Sequence, residues 1–168
     1  MEWLPFDLHP EYPPDGIPRA EHAARYSADA HEHVRAMIEA AGIPYNPPPD
    51  VVPNSMKALR VTELARELGL HEPVHTRLMH AYWSEAANIG DEETLLDLVT
   101  EVGLNREEAK GALADGAYTE RIQASTQAAN RHGIHAIPAF VLGGQLLLLG
   151  AQPEAVFERA VEQLAENP

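Results

Sequence analysis

The spacing of apolar and polar positions changes along the chain and predicts different elements in its different parts. Residues 2–10 alternate loosely between apolar and polar, which is typical of a strand. From 18 to 133 most apolar side chains recur at helical spacing. Near the end, the runs AFVLGG (139–144) and QLLLLG (145–150) are short and continuously apolar, as in buried strands.

Glycines mark the ends of several predicted helices, because a residue in the left-handed conformation commonly closes a helix. Gly42, Gly69, Gly103 and Gly133 each follow such a helical run. Pro73 is typical of a first helical residue. The predicted helices cover residues 18–41, 54–69, 73–88, 91–103, 105–116, 119–133 and 152–166.

The two apolar runs near the C-terminus are joined by Gly143 and Gly144, a pair that favours the tight turn of a β-hairpin. The predicted order is therefore strand, several helices, hairpin, helix. This order indicates an α/β fold with a helical insertion of about one hundred residues.

Composition and charge limit the classes of partner. The chain has 168 residues, 45% of them apolar, and 26 acidic residues against 12 basic ones, for a net charge of −14. With no basic cluster, a nucleic acid or an anionic membrane surface is not expected as a partner. No apolar run approaches the roughly 18 residues of a membrane-spanning helix. The N-terminus lacks the pattern of a signal peptide, so a cytoplasmic location is the expectation.

The sequence contains no cysteine, which excludes a cysteine nucleophile, disulfides and thiolate metal sites within these residues. The letters HEPVH (71–75) match the zinc-protease pattern H-E-x-x-H. That pattern needs both histidines on one continuous helix, together with a third ligand. We expect the helix to start at Pro73 and leave His71 outside it, so no metal site is predicted.

The C-terminal stretch GIHAIPAFVLGGQLLLLGAQPEAVFERAVEQL (133–164) resembles the second half of a thioredoxin fold, and within it the DsbA-like (FrnE-type) oxidoreductases. Three other segments resemble the same family, namely WLPFDLHPEYPPDG, PNSMKALR and AYWSEAANIGDEETLLDLVTEVGLN. The resemblance implies a thioredoxin-like α/β fold with a helical insertion domain and with the N-terminal βα unit missing. Residues 1–17 and 117–168 would form the thioredoxin-like part, and residues 18–116 the insertion.

The resemblance also implies a site. In this family a low-pKa thiolate attacks a substrate disulfide, and a cis-proline loop faces it. Pro138 matches that proline and Ile137 the residue before it, so both are expected to contact substrate and their peptide bond to be cis. The Cys-X-X-Cys helix is absent, and we expect a truncated chain that has no catalytic residue and is inactive in disulfide exchange.

Two alternatives remain open beside the oxidoreductase. PNSMKALR is also similar to glutathione-dependent 2-hydroxychromene-2-carboxylate isomerases and kappa-class glutathione transferases, in which case Asn54 would contact glutathione. The chain could instead be a non-catalytic binding module. Expected partners are a protein or small thiol or disulfide substrate, and a homo-oligomer formed through exposed strand edges. No cofactor is expected unless the glutathione alternative holds.

Overall fold

A computed structural model of the protein describes residues 2–25, 28–46 and 49–166. Within these ranges the chain forms a helix-rich α/β structure with two small antiparallel sheets. The strands are β1 (Ile17–Pro18), β2 (Val51–Val52), β3 (Ala139–Leu142) and β4 (Leu146–Leu149). The helices are α1 (Arg19–Ala23), α2 (Ala28–Ala40), α3 (Met56–Glu67), α4 (His71–Ser84), α5 (Glu92–Glu101), α6 (Arg106–Ala114), α7 (Gly116–Arg131) and α8 (Glu154–Glu166).

The main hydrophobic core lies among helices α3 to α6. α5 contributes most to it, because its apolar residues recur at helical spacing on one face. Leu95 and Val99 are completely buried, and Leu104, just beyond α5, is almost completely buried. At the start of α5 the Asp91 carboxylate accepts a hydrogen bond from the Thr94 N–H at 2.9 Å, which caps the helix.

Helix α4 begins at His71, so the prediction that it begins at Pro73 was wrong. Pro73 is the third residue of the helix. The first four N–H groups of a helix have no partner within it, so a proline at this position loses no hydrogen bond. The regular helical hydrogen bonds begin at the next residue, where the Val74 N–H donates to the Leu70 carbonyl at 3.1 Å.

Two strands that the sequence did not reveal, β1 and β2, lie inside Pro-rich loops. They pair antiparallel with Ile17 opposite Val52. Gly16 precedes β1 with φ of +78°, and a Cβ there would lie 2.3 Å from the Val52 carbonyl oxygen. This approach requires glycine and fixes how the two loops meet.

The strand predicted over residues 2–10 does not form, and neither does a single helix over 18–41, which is divided into α1 and α2. A strand needs a neighbour for its backbone hydrogen bonds. No described strand lies beside residues 2–10, and the Asp7 N–H donates instead to the Thr126 hydroxyl of α7 at 2.9 Å.

The C-terminal hairpin confirms the sequence prediction. β3 and β4 pair with Ala139 opposite Leu149, and φ is positive at both Gly143 and Gly144, at 58° and 69°. Helix α8 packs on one face of the hairpin, where the rings of Phe140 and Phe157 meet edge to face at 4.9 Å.

Candidate functional site

The loop that joins α7 to β3 holds the two residues predicted to contact substrate. The Ile137–Pro138 peptide bond is cis, the geometry that the resemblance implies. Every residue from His135 to Pro138 is exposed, and the Ile137 side chain is 51% exposed. The Gly150 N–H donates to the Pro138 carbonyl at 2.7 Å and so ties the loop to the hairpin. The role of the loop in binding stays a prediction.

The strand that follows this loop presents an unpaired edge. Pro138 lies opposite Gly150 as a hydrogen-bonded pair, and hydrogen-bonded and non-hydrogen-bonded pairs alternate along an antiparallel ladder. The peptide groups of Ala139 and Val141 therefore point away from β4. No strand pairs with them in the described part of the chain. An extended polypeptide could add to the sheet at this edge.

The face of the hairpin opposite α8 is also open. Val141 is 59% exposed, and Leu147 and Leu149 are each 40% exposed. These side chains lie on one face, because side chains alternate between the two faces of a strand and Val141 is opposite Leu147. Exposed apolar side chains are thus present both in the loop, at Ile137, and on this face of the hairpin.

Asn54 has a structural role. Its side-chain amide donates to the Tyr12 carbonyl at 2.8 Å, and its side-chain oxygen accepts from the Met56 N–H at 2.9 Å. It thereby fixes the loop before β1 to the start of α3. None of its described hydrogen bonds reaches Ile137 or Pro138, and a contact with glutathione stays a prediction.

Asp7 was not singled out from the sequence, although it is buried in the N-terminal segment. Burial raises the pKa of its carboxyl group, against the lowering effect of a backbone hydrogen bond from His9. The sequence signal that could have indicated a buried carboxyl group was the position of Asp7 between the apolar residues Phe6 and Leu8. Because Asp7 bonds Thr126, it fixes the N-terminal segment to the helix that leads into the proline loop.

The two histidines of the H-E-x-x-H pattern lie together on α4, contrary to the sequence expectation. Their rings stack with centroids 5.7 Å apart. Burial lowers the pKa of both imidazoles, and the Arg66 guanidinium, 3.2 Å from His71 Nε2, lowers the pKa of His71 further. Among the described residues no group of three or more His, Cys, Asp or Glu side chains could hold a metal ion.

An ionic network holds α7 against α3. The Arg121 guanidinium donates to Glu67 at 2.7 Å and lies 3.7 Å from the buried Glu63. The Tyr118 hydroxyl also donates to Glu67, at 2.8 Å. Burial and this carboxylate raise the pKa of Tyr118 to about 12. The network connects the helical core to the helix that ends at the proline loop.

None of the described helices is both long enough and apolar enough to cross a membrane.

The family model of the DSBA-like thioredoxin domain matches residues 1–162 of this chain. The uncharacterised protein YwbO of Bacillus subtilis (strain 168) is 31% identical over 164 residues, which cover 96% of this chain and 80% of YwbO.

Two solved structures are similar to this one. The crystal structure of a probable DsbA oxidoreductase from Streptomyces coelicolor is 26% identical, with a TM-score of 0.86 over 97% of this chain and 74% of that chain. The cytosolic disulfide reductase DsbM from Pseudomonas aeruginosa, solved with GSH, is 24% identical, with a TM-score of 0.55 over 69% of this chain and 61% of that chain. The second likeness supports the fold alone.

Proposed function

The chain belongs to the family of DSBA-like thioredoxin domains, and we propose that it supplies the substrate-binding surface of a disulfide-exchange site. The thioredoxin-like α/β fold predicted from the sequence is confirmed by the family match and by the Streptomyces coelicolor structure. The chain is a DsbA-like protein of the thiol–disulfide oxidoreductase class.

The observation that carries the proposal is the exposed Ile137, two residues before β3, whose edge is unpaired in the described structure. The outward peptide groups of Ala139 and Val141 would hydrogen-bond an extended substrate, while Ile137 would contact one of its apolar side chains. This mode of recognition takes its affinity from the main chain and its selectivity from the side chains. It suits an unfolded or extended segment around a disulfide.

The exchange reaction itself needs a thiolate that attacks one sulfur of the substrate disulfide and displaces the other as a thiolate. None of the 168 residues is a cysteine, so these residues do not supply the attacking sulfur. The proposal therefore assigns binding to this chain and leaves the nucleophile to a thiol outside these residues. FrnE-type membership and a cytoplasmic location remain parts of the proposal, and Asn54 gives no support to the glutathione alternative.

The test has a catalytic part and a binding part. In an insulin-reduction assay with dithiothreitol, the chain alone should not accelerate the reduction of the insulin disulfides. Binding is measured with reduced, carboxymethylated ribonuclease A. Ile137→Asp should weaken it roughly tenfold, as expected for an exposed apolar anchor. Val161→Asp is the matched control, because Val161 is 58% exposed on α8. Equal effects of the two substitutions would overturn the proposal.

A second copy of this chain is the competing occupant of the β3 edge, since unpaired apolar strands also pair with each other. Light scattering coupled to gel filtration distinguishes the two. A monomer that binds ribonuclease A supports the substrate surface. A dimer that is broken by Val141→Pro, and that does not bind the polypeptide, favours self-association instead.

A further inference from the structure

The stretch of sequence that contains the proline loop differs in charge from the rest of the chain. Residues 121–153 contain no aspartate and no glutamate, although the whole chain has 26 acidic residues and a net charge of −14. The same stretch contains Arg121, Arg131, His132 and His135. It comprises most of α7, the proline loop and the whole β3–β4 hairpin.

Two of these basic side chains have no acidic partner in the part of the chain that the structure describes. Arg131 and His132 are exposed, and within the described residues neither side chain forms an ion pair or a hydrogen bond with a carboxylate. Arg77 shows the usual situation in this chain, since it pairs with Glu85 at 3.0 Å and with Glu101 at 2.7 Å. Arg131 and His132 are therefore available to a charged partner.

Basic residues at the C-terminal end of a helix also stabilise the helix by themselves. Here the last carbonyls of α7 already have backbone partners. The Gly133 N–H donates to the Asn130 carbonyl at 3.0 Å, and the Ile134 N–H donates to the Ala129 carbonyl at 3.0 Å. The Arg131 side chain makes no hydrogen bond to these carbonyls, so capping does not account for it.

We propose that the end of α7, next to the proline loop, selects acidic polypeptide segments, with Arg131 and His132 contacting carboxylates beside the apolar side chain that meets Ile137. The inference rests on the proposed function and names the class of segment that the site takes. Charges are screened beyond about 8 Å at physiological ionic strength. The charges that matter to a bound segment are therefore those close to it, where Arg131 and His132 are exposed.

The test uses three peptides of equal length, each with one central leucine flanked on both sides by glutamate, glutamine or lysine. Each carries a zwitterionic rhodamine, and binding is followed by fluorescence anisotropy at 0.15 M salt. The glutamate peptide should bind about fivefold more tightly than the glutamine peptide, the size expected of a few exposed ion pairs. The preference should disappear in 1 M salt, where screening acts within about 3 Å.

The double substitution Arg131→Gln with His132→Gln should lower the affinity for the glutamate peptide to that for the glutamine peptide. The affinity for the glutamine peptide should not change. Lys110→Gln on α6 is the matched control, because Lys110 is exposed and lies outside the acid-free stretch. Circular dichroism shows whether each variant keeps its helices.

The outcomes separate this inference from the proposal beneath it. If the glutamine peptide binds and Ile137→Asp weakens it, but the glutamate peptide binds no more tightly, only the selection of acidic segments is overturned. Tighter binding of the lysine peptide leads to the same conclusion. If no peptide binds, or if Ile137→Asp has no effect on binding, the proposed function is overturned and this inference with it.

Discussion

The indole ring of Trp3 lies against the imidazole ring of His75, with centroids 4.9 Å apart and an angle of 36° between the planes. The contact joins the N-terminal segment to α4, and His75 in turn stacks on His71. Together with the hydrogen bond between Asp7 and Thr126, it fixes a segment that belongs to neither of the described sheets.

The docking of this segment should depend on pH. The pKa of His75 is lowered by burial, so the folded form binds this proton less well than the unfolded chain does. The contribution of His75 to stability is therefore complete at neutral pH and is lost as the pH falls below about 6.5. In a Trp83→Phe background, the fluorescence of Trp3 reports this change. We expect a titration with its midpoint below that value.

His75→Phe should retain the ring contact and abolish the titration, because phenylalanine takes up no proton. His80→Gln is the control, since His80 is exposed and its ring bonds Glu85 rather than Trp3. A fluorescence titration that persists in His75→Phe would show that another group controls the segment, for example Asp7.

Gly16→Ala should destabilise the protein more than Gly42→Ala. Both glycines have positive φ, at 78° and 70°, so both substitutions cost the energy of the left-handed conformation. At Gly16 the new Cβ also meets the Val52 carbonyl, whereas at Gly42 it has open space. The difference in free energy of unfolding, measured in urea, should be about 1–3 kcal/mol. If both substitutions lowered the free energy of unfolding equally, the loops that contain β1 and β2 would be able to move apart.

Leu95→Ala should lower the free energy of unfolding by about 2–5 kcal/mol, because Leu95 is completely buried in the helical core. Leu147→Ala is the matched control on the open face of the hairpin and should cost about 1 kcal/mol or less. Urea denaturation followed by circular dichroism measures both. Similar losses in the two variants would indicate that the open face is covered in solution.

Asn54→Ala should lower the melting temperature, because the Tyr12 carbonyl and the Met56 N–H both lose a partner. The expected cost is about 1–3 kcal/mol. Excess glutathione should not change the melting temperature of either form. If glutathione raised the melting temperature of the unmodified protein but not of the variant, the glutathione-dependent alternative would replace our proposal.

Much of the structure around the candidate site could be predicted from local sequence, while the binding roles of its residues stay predictions. Ile137 and Pro138 were identified by resemblance, and the hairpin by its two apolar runs and the Gly143–Gly144 pair, because a tight turn and its flanking strands depend on neighbouring residues. The start of α4 was misplaced for a local reason. Proline is compatible with any position in the first turn, so the presence of Pro73 did not fix which one it occupies.

Other features were decided only by long-range contacts. A strand exists only where a partner supplies its hydrogen bonds, so residues 2–10 form none despite their pattern, while Ile17 and Val52 pair despite lying in Pro-rich loops. The sequence by itself determined most of the helices, the hairpin and the acidic charge. The tertiary structure decided which edge of β3 stays open and which basic side chains have no acidic partner, because both depend on residues far apart in the chain.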